Sequence, residues 1–394
     1  MRVVFGAGIV RRLIWDPLRL GLFIFFYLIR PIKPVKIIIM HEARIGSLAQ
    51  HADLFLRRRR EVGNSAEPKG WWMGVSQAPS NEQLLKMLQR HMPILRSRYV
   101  KRLFYTPMFR RSPFVGSFPY PKSAADFELY NANPVLTFTE AEEDLGEGLL
   151  KDMGIPEGAW FVCFHVRDPS YEIQNFSESY WKESPSVYQN CSVANFIDAM
   201  RYIADCGGYA IRMGAAISDR LPDLGEARII DYASDHRTDF GDIFLSAKCK
   251  FFVGTFSGLS MIANIFNVPV VKTNMLHTTN EPYAKRDLII FKHHWSTEKS
   301  RMLTLSEMFE LDMGMNSTQE YQQAGISVLE NSPEEILAVT KEMNERLEGI
   351  FPTVKGDMEL QQRFHALLEP RHQLYLSPAM AGAEYLRTQQ SSLR

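Results

Sequence analysis

A turn of small polar residues is the segment of this sequence best suited to bind a phosphate group. Gly254, Thr255, Ser257 and Gly258 stand in FFVGTFSGLS, between an apolar run that predicts a strand and one that predicts a helix. The free N–H groups and the dipole at a helix start attract anions, and glycine lets a ligand approach the backbone closely. The same residues also suit an ordinary N-cap with a tight turn, so both interpretations are open at this point.

Arginines follow two other predicted strands. FHVRD places His165 and Arg167 on the same side of a strand end, because side chains alternate along a strand, and AIRMG places Arg212 at the end of another. An arginine there suits bidentate contact with a diphosphate. The alternative is a surface pair of Arg167 with Asp168 beside a buried His165. We predict a nucleotide-diphosphate pocket formed by His165, Arg167, Arg212, Thr255, Ser257 and Gly258.

The loop HEARIGSLAQH, residues 41–51, offers groups for proton transfer. A general base for an acceptor hydroxyl must be a carboxylate or an imidazole within reach, which makes Glu42 and His41 the candidates. A loop carboxylate is more often solvated or capping. The four cysteines have no CxxC spacing and no histidine at ligand distance in sequence. We therefore expect no metal ion and no cofactor, with arginines neutralising the leaving diphosphate.

A parallel α/β sheet is the architecture that would bring these residues together. Short apolar runs alternate with helical patterns along most of the chain, which predicts doubly wound sheets whose ligands lie at the carboxyl ends of the strands. Four prolines in residues 112–134 predict a long loop there. The predicted strands are residues 35–40, 71–75, 160–166, 209–214, 227–233, 250–254 and 269–274.

The first part of the chain is strongly basic. Up to Arg111 there are 21 Lys and Arg against 6 Asp and Glu, a net charge of +15, and the remainder carries −15. The apolar run at residues 20–29 is too short to span a bilayer and is flanked by cations, which is typical of an interfacial amphipathic helix. The alternative is that this helix packs on the protein's own core. The RRRR at residues 57–60 and the basic, aromatic stretch from Arg90 to Arg111 favour an anionic membrane surface as partner. RNA is a competing ligand, but no nucleic-acid module accompanies the pattern, so we expect no nucleic acid.

Several motifs together resemble a family of bacterial glycosyltransferases associated with surface-polysaccharide synthesis. The motifs are HEARIGSLA, CFHVRD, GGYAIRMGA and the block from IIDYASDHRTDFGD to FFVGTFSGLS, followed by PVVKTN. More distantly, the chain is similar to heptosyltransferases and to inverting fucosyltransferases of the two-Rossmann GT-B fold. By this resemblance His165 and Arg167 contact the donor diphosphate. Ser47 stands where heptosyltransferases have an aspartate, so the base is not carried over.

The sequence thus predicts an α/β protein with two Rossmann-like domains facing across a cleft. The expected segments are a membrane-surface helix at 1–34, an acceptor domain at 35–138, a nucleotide-sugar domain at 139–330 and a helical tail at 331–394. The expected activity is metal-independent, inverting transfer of a sugar from a nucleotide sugar to a glycan or lipid-linked acceptor. The expected location is the cytoplasmic face of the inner membrane, held peripherally. The alternative is a non-catalytic nucleotide-sugar or glycan-binding protein on the same fold.

Overall fold

The computed structural model describes residues 17, 19–32, 35–61, 71–118, 123–175, 188–276, 284–312, 318–352, 354–368 and 373–393. The chain divides into two compact units, Met1–Tyr120 and Pro121–Arg394. Residues 123–138, which the sequence analysis placed in the first domain, belong to the second unit. No charged residue lies in 112–120, so the first unit carries the whole net charge of +15. The cleft between the domains stays a prediction.

The first unit contains a four-stranded parallel sheet in the order β3-β2-β1-β4. The β-branched run VKIII forms the central strand β1, whose last three residues are buried. Asn81 and Ser97 begin two of the helices by accepting a hydrogen bond from the N–H three residues later. The elements are β1 Val35–Ile39, α1 Ile45–Glu61, β2 Trp71–Ser76, α2 Glu82–Gln89, β3 Ile94–Arg96, α3 Arg98–Phe104, α4 Pro107–Arg110 and β4 Val115–Gly116.

Residues 19–29 form a helix, which we call the apolar helix. Leu22, Phe23 and Phe26 on one face pack against the core of the first unit, and the Phe23 ring lies 5.2 Å from that of Phe114. The opposite face is exposed and also apolar. The alternative of packing on the protein's own core is therefore confirmed for one face, and the interfacial role stays a prediction. The flanking cations Arg11, Arg12 and Lys33 lie outside the described residues. No helix within the described ranges combines the length and the apolar character that crossing a bilayer requires.

Arg57, the first residue of the RRRR segment, does not belong to a basic surface. Its side chain is fully buried on α1 and forms an ion pair of 2.6 Å with Asp53, one turn earlier. Arg58 and Arg59 are partly buried, and Arg60 is exposed. A buried arginine needs a carboxylate partner, which Asp53 supplies. This finding corrects the prediction that all four arginines face a membrane.

The second unit contains a seven-stranded parallel sheet in the order β14-β10-β9-β8-β5-β6-β7. The order reverses between β5 and β8, which is the doubly wound arrangement that the sequence predicted. Its strands are β5 Phe161–His165, β6 Tyr209–Met213, β7 Ile229–Ile230, β8 Phe252–Gly254, β9 Val270–Met275, β10 Leu288–Phe291 and β14 Met380–Ala381.

Helices pack against this sheet, and their apolar side chains form one large hydrophobic core with those of the strands. Thr139 and Ser332 each form a complete capping box with the glutamate three residues later. The helices are α5 Ala124–Glu128, α6 Glu140–Asp152, α7 Ser170–Asn175, α8 Ile197–Asp205, α9 Tyr232–Asp235, α10 Asp239–Lys248, α11 Gly258–Ile265, α12 Leu305–Asp312, α13 Thr318–Gln323, α14 Pro333–Glu348, α15 Asp357–Ala366 and α16 Ala383–Thr388.

Some elements differ from the sequence-based expectations. Residues 112–134 contain β4 and α5, and the strand expected at 227–233 is reduced to Ile229–Ile230 because α9 begins at Tyr232. A three-stranded antiparallel sheet, unexpected from the sequence, joins β11 His293–Ser296, β12 Arg301–Met302 and β13 Ile326–Leu329. Residues 331–394 are not a separate tail, since α14 packs into the main core and β14 is an edge strand of the seven-stranded sheet.

Candidate functional site

The carboxyl ends of β5, β6 and β8 lie next to one another in the second unit. His165 ends β5 and stands in register with Met213 on β6 and with Gly254 on β8. The pair β5 and β8 is the point where the strand order reverses. In open parallel sheets, ligands bind outside the strand ends at such a point. The sequence-predicted residues His165, Arg167 and Thr255 are thus brought to one edge of one sheet.

Gly254 is required where β8 approaches β5. A Cβ atom at residue 254 would lie 2.5 Å from the His165 carbonyl oxygen, which is closer than a carbon and an oxygen can pack. The Thr255 N–H donates to that same carbonyl at 3.1 Å, and the Thr255 hydroxyl accepts a hydrogen bond of 3.1 Å from the Arg167 N–H. The two strand ends are therefore tied together by backbone geometry that only glycine allows.

His165 is a neutral imidazole at this edge. Burial, together with the positive charges of Arg167 and Arg212, lowers its pKa to about 4. Its Nδ1 atom is buried and has no hydrogen-bond partner among the described residues. A buried polar atom without a partner is uncommon and costs free energy, so it suits a ligand that completes the hydrogen bond. Arg167 is partly exposed beside it.

Ser257 begins helix α11. Its backbone is extended, and its hydroxyl accepts a hydrogen bond of 3.4 Å from the Ser260 N–H, so the N-cap interpretation is confirmed. Gly258 is the first residue of α11, whose N-terminus lies directly after the β8 turn. An N-capped helix still presents free N–H groups in its first turn. The turn therefore keeps the elements of an anion site while serving as a cap.

A buried polar network holds α11 in place. The Lys272 ammonium, fully buried on β9, donates to Asn264 Oδ1 at 3.0 Å, and Asn264 Nδ2 donates to Asp287 at 2.9 Å. Asp287 also accepts hydrogen bonds from two backbone N–H groups. This network was not predicted from the sequence, because Asn264 and Lys272 stand in largely apolar segments and Asp287 lies in a separate part of the chain. Its effect is to fix the helix whose N-terminus lies at the strand edge.

Arg212 lies at the end of β6 but is committed to the protein itself. Its side chain is 4% exposed, and Nη1 donates to the Asp219 carbonyl at 2.7 Å and lies 3.3 Å from the Asp231 carboxylate. Asp231 also accepts hydrogen bonds from the Leu221 N–H and the Ser234 hydroxyl. Arg212 therefore holds the loops after β6 and β7, and this contact is a structural one.

Asp168 connects two loops at the same edge. Its carboxylate accepts hydrogen bonds from the Ser170 N–H at 2.7 Å and from the Ser218 N–H at 3.2 Å. These bonds join the segment after β5 to the segment after β6. Asp168 thus fixes the loop that carries Arg167.

Glu42 in the first unit is a buried loop carboxylate. Its Oε1 accepts hydrogen bonds from the Lys101 ammonium at 2.6 Å and from the Gln77 and Ala78 N–H groups at 2.6 and 3.1 Å. Burial alone would raise the pKa of Glu42, but these hydrogen bonds outweigh burial and hold the pKa below its usual range. Glu42 thus joins the loop after β1 to the loop after β2 and to α3. Lys101, far away in sequence, was not foreseen as its partner.

His41 lies beside Glu42 in sequence and is exposed. The His41 ring contacts the buried His51 ring edge to face, with centroids 6.2 Å apart. Burial and the nearby His41 lower the pKa of His51 to about 4, so His51 is neutral at physiological pH. Of the two candidate bases, His41 is therefore the one open to solvent and to a substrate.

The described ranges of the chain contain no group of three or more His, Cys, Asp and Glu side chains placed to hold a metal ion. The four cysteines are all free thiols.

Solved structures give distant similarities, whereas no protein-family model and no curated protein sequence matches the chain. The Escherichia coli ADP-heptose lps heptosyltransferase II is 13% identical with a TM-score of 0.43, over 65% of this chain and 90% of that one. A glycosyl transferase family 9 protein from Veillonella parvula is 12% identical with a TM-score of 0.45, over 79% and 97%. The E. coli heptosyltransferase WaaC, with ADP-2-deoxy-2-fluoro heptose, is 14% identical with a TM-score of 0.35, over 65% and 93%. The structural neighbours are thus glycosyltransferases, and the resemblance to heptosyltransferases is confirmed as a distant similarity.

Proposed function

We propose that this protein is a GT-B glycosyltransferase that moves a sugar from a nucleotide-diphosphate donor to a cell-surface glycan or lipid-linked acceptor. The observation that carries the proposal is the β5–β8 edge, where the N-terminus of α11, the neutral His165 and Arg167 lie at the reversal of strand order. Such an edge favours an anionic ligand, because helix N–H groups and a guanidinium both stabilise phosphate charge.

The proposed chemistry is one displacement. The acceptor hydroxyl attacks the anomeric carbon, its proton passes to a base, and the bond between that carbon and the diphosphate breaks. Charge that develops on the leaving diphosphate would be stabilised by Arg167 and by the first turn of α11. His41 is the proposed base because it is exposed, whereas the lowered pKa of Glu42 makes that carboxylate a weaker base. Glu42 would then position the loop that carries His41.

Donor binding tests the first part of the proposal. Isothermal titration of the purified full chain with ADP, GDP, UDP and CDP should find at least one ligand. Arg167→Ala should weaken its binding by about 10- to 100-fold, as expected for the loss of charged hydrogen bonds. Arg201→Ala is the control, because Arg201 is exposed on α8 of the same unit and forms only a 3.7 Å pair with Asp198. Equal affinity of Arg167→Ala and wild type would show that the pocket is wrongly placed.

A second candidate, a non-catalytic nucleotide-sugar binding protein, is favoured by the state of Glu42. Three hydrogen bonds to its Oε1 hold the pKa of this carboxylate below the usual range, which makes it a weak acceptor for a substrate proton. Incubation with labelled nucleotide sugars and lipid-linked glycans distinguishes the two functions. Transfer that is lost in His41→Ala but retained in His91→Ala, an exposed histidine of the same unit, supports the enzyme. Tight donor binding with no transfer or hydrolysis supports the binding protein.

We also propose that the first unit lies on the cytoplasmic face of the inner membrane. The support is its net charge of +15 and the exposed apolar side chains of the apolar helix. Each cation near an anionic leaflet contributes about 1 kcal/mol. Flotation with liposomes, at a fixed lipid concentration and rising anionic fraction, tests this location.

A further inference from the structure

The apolar helix has one face that the fold does not cover. The side chains of this face are between 47% and 67% exposed and comprise Leu20, Ile24, Phe25, Tyr27 and Leu28. The helix cannot rotate to bury this exposed face instead. Phe23 and Phe26 on its other face are held by contacts with Phe104, Phe109 and Phe114. An apolar surface of this kind on a folded unit marks an interaction site.

An open cavity of about 340 Å³ lies on the element that packs against this helix. Tyr105, Pro107, Arg110 and Arg111 line it, and we call it the arginine cavity. Helix α4 both contacts the apolar helix and lines the cavity. Its Phe109 ring lies 5.8 Å from the Phe23 ring of the apolar helix, and the next residue, Arg110, lines the cavity. The cavity and the apolar helix are therefore connected through α4 within the first unit.

The charge of the arginine cavity is not compensated. The sequence has no Asp or Glu between Glu82 and Asp126, and none between Asp16 and Glu42. No hydrogen bond or ion pair joins the Arg110 or Arg111 guanidinium to another residue in the described part of the chain. Arg96 of the same unit, in contrast, forms two hydrogen bonds with Glu82. Two unpaired guanidinium groups in one concave site suit a phosphate, which each can bind in a bidentate manner.

We propose that the arginine cavity binds the headgroup phosphate of an anionic phospholipid while the exposed face of the apolar helix enters the headgroup region. The proposal rests on the peripheral membrane association proposed above and names its ligand. Apolar side chains enter the boundary between headgroups and acyl chains, and cations beside them meet lipid phosphates. RNA would also be attracted by the arginines, but it makes no use of exposed Leu20, Ile24 and Leu28, so a lipid fits the surface better.

Vesicle sedimentation tests the proposal on the full chain. The probes are vesicles of phosphatidylcholine alone and of phosphatidylcholine with phosphatidylglycerol, at physiological salt. Arg110→Gln/Arg111→Gln should weaken partition onto phosphatidylglycerol vesicles by about 30-fold, which is the effect of two cations at an anionic surface. The matched control is Arg201→Gln/Lys285→Gln, which removes the same charge from exposed positions of the second unit and should change partition less than twofold. Ile24→Ser/Leu28→Ser should weaken partition onto both kinds of vesicle.

Further experiments identify the ligand of the arginine cavity. Glycerol phosphate in solution should neither bind measurably nor displace the protein, because it lacks the acyl chains that the apolar helix contacts. Displacement by glycerol phosphate would overturn the lipid assignment, and so would RNA retention at physiological salt without vesicle binding. Equal partition of wild type and Arg110→Gln/Arg111→Gln would refute the assignment of the arginine cavity as a lipid-phosphate site. Nucleotide titration of the same variants should match wild type, so failure of the donor site and failure of the lipid site are separate results.

Discussion

Replacement of Glu42 by glutamine should destabilise the first unit far more than an exposed charge change does. Glu42→Gln leaves Lys101, whose side chain is 13% exposed, without a carboxylate 2.6 Å away. Loss of one partner of a largely buried ion pair costs about 3 to 5 kcal/mol, because the other charge stays buried. The control is Glu82→Gln, since Glu82 is 56% exposed and pairs with Arg96 on the surface of the same unit. That change should cost about 1 kcal/mol or less.

Urea unfolding of the full chain measures the free energy, and amide hydrogen exchange reports on the site itself. The Gln77 and Ala78 N–H groups bond to Glu42, so they should exchange faster in Glu42→Gln and not in Glu82→Gln. The pH dependence gives a second check. The pKa of Glu42 is lowered on folding, so its stabilisation is fully present above about pH 4.5 and is lost as the pH falls through the folded pKa.

Two results would refute this reasoning. One is a loss in Glu42→Gln no larger than that in Glu82→Gln at pH 7. The other is a difference between wild type and Glu42→Gln that stays constant as the pH falls through the lowered pKa of folded Glu42, where protonation should make the two side chains alike.

Three other predictions follow from the geometry. Gly254→Ala should weaken nucleotide-diphosphate binding at least tenfold, as measured by calorimetry, because the new Cβ would lie 2.5 Å from the His165 carbonyl oxygen. The control is Gly148→Ala, which has open space around it and should stabilise its helix by about 1 kcal/mol. His51 has a pKa lowered from 6.5 to about 4, so it contributes up to about 3 kcal/mol above pH 6.5 that is lost as the pH falls towards 4; urea unfolding of His51→Gln should lack this dependence. Arg212→Met should lower the melting temperature, because it leaves the Asp231 carboxylate, which is only 12% exposed, without its cation; it should reduce nucleotide affinity less than Arg167→Ala does.

The regular elements of both units follow from local sequence signals. The strand predicted at residues 35–40 from a β-branched run is confirmed as Val35–Ile39, and the capping box at Ser332 is a local pattern of the same kind. The length of the strand at Ile229–Ile230 was overestimated. The DYASD segment that follows has the composition of a strand end, but it forms a helical turn. The antiparallel sheet at residues 293–329 was missed because its strands are only two to four residues long, which is too short for an alternating pattern to mark them.

Long-range pairing was the part of the candidate site that could not be foreseen. Lys101 and Glu42 stand 59 residues apart, and nothing local marks them as partners. Arg212 looked like a free cation at a strand end until Asp231, on another loop, proved to be its partner. The ion pair of Arg57 was not predicted, because Arg57 stands in a run of four arginines. Asp53, one helical turn earlier, could have indicated this partner.

The edge strand β14 places a condition on biosynthesis. Met380 and Ala381 pair in parallel with Leu288 and Ile289 of β10, which are made much earlier. Until β14 arrives, the β10 edge offers unpaired backbone groups to any neighbouring strand. The second unit therefore completes its native sheet only after residue 381 has been synthesised, and a nascent chain stalled before residue 380 would be prone to self-association.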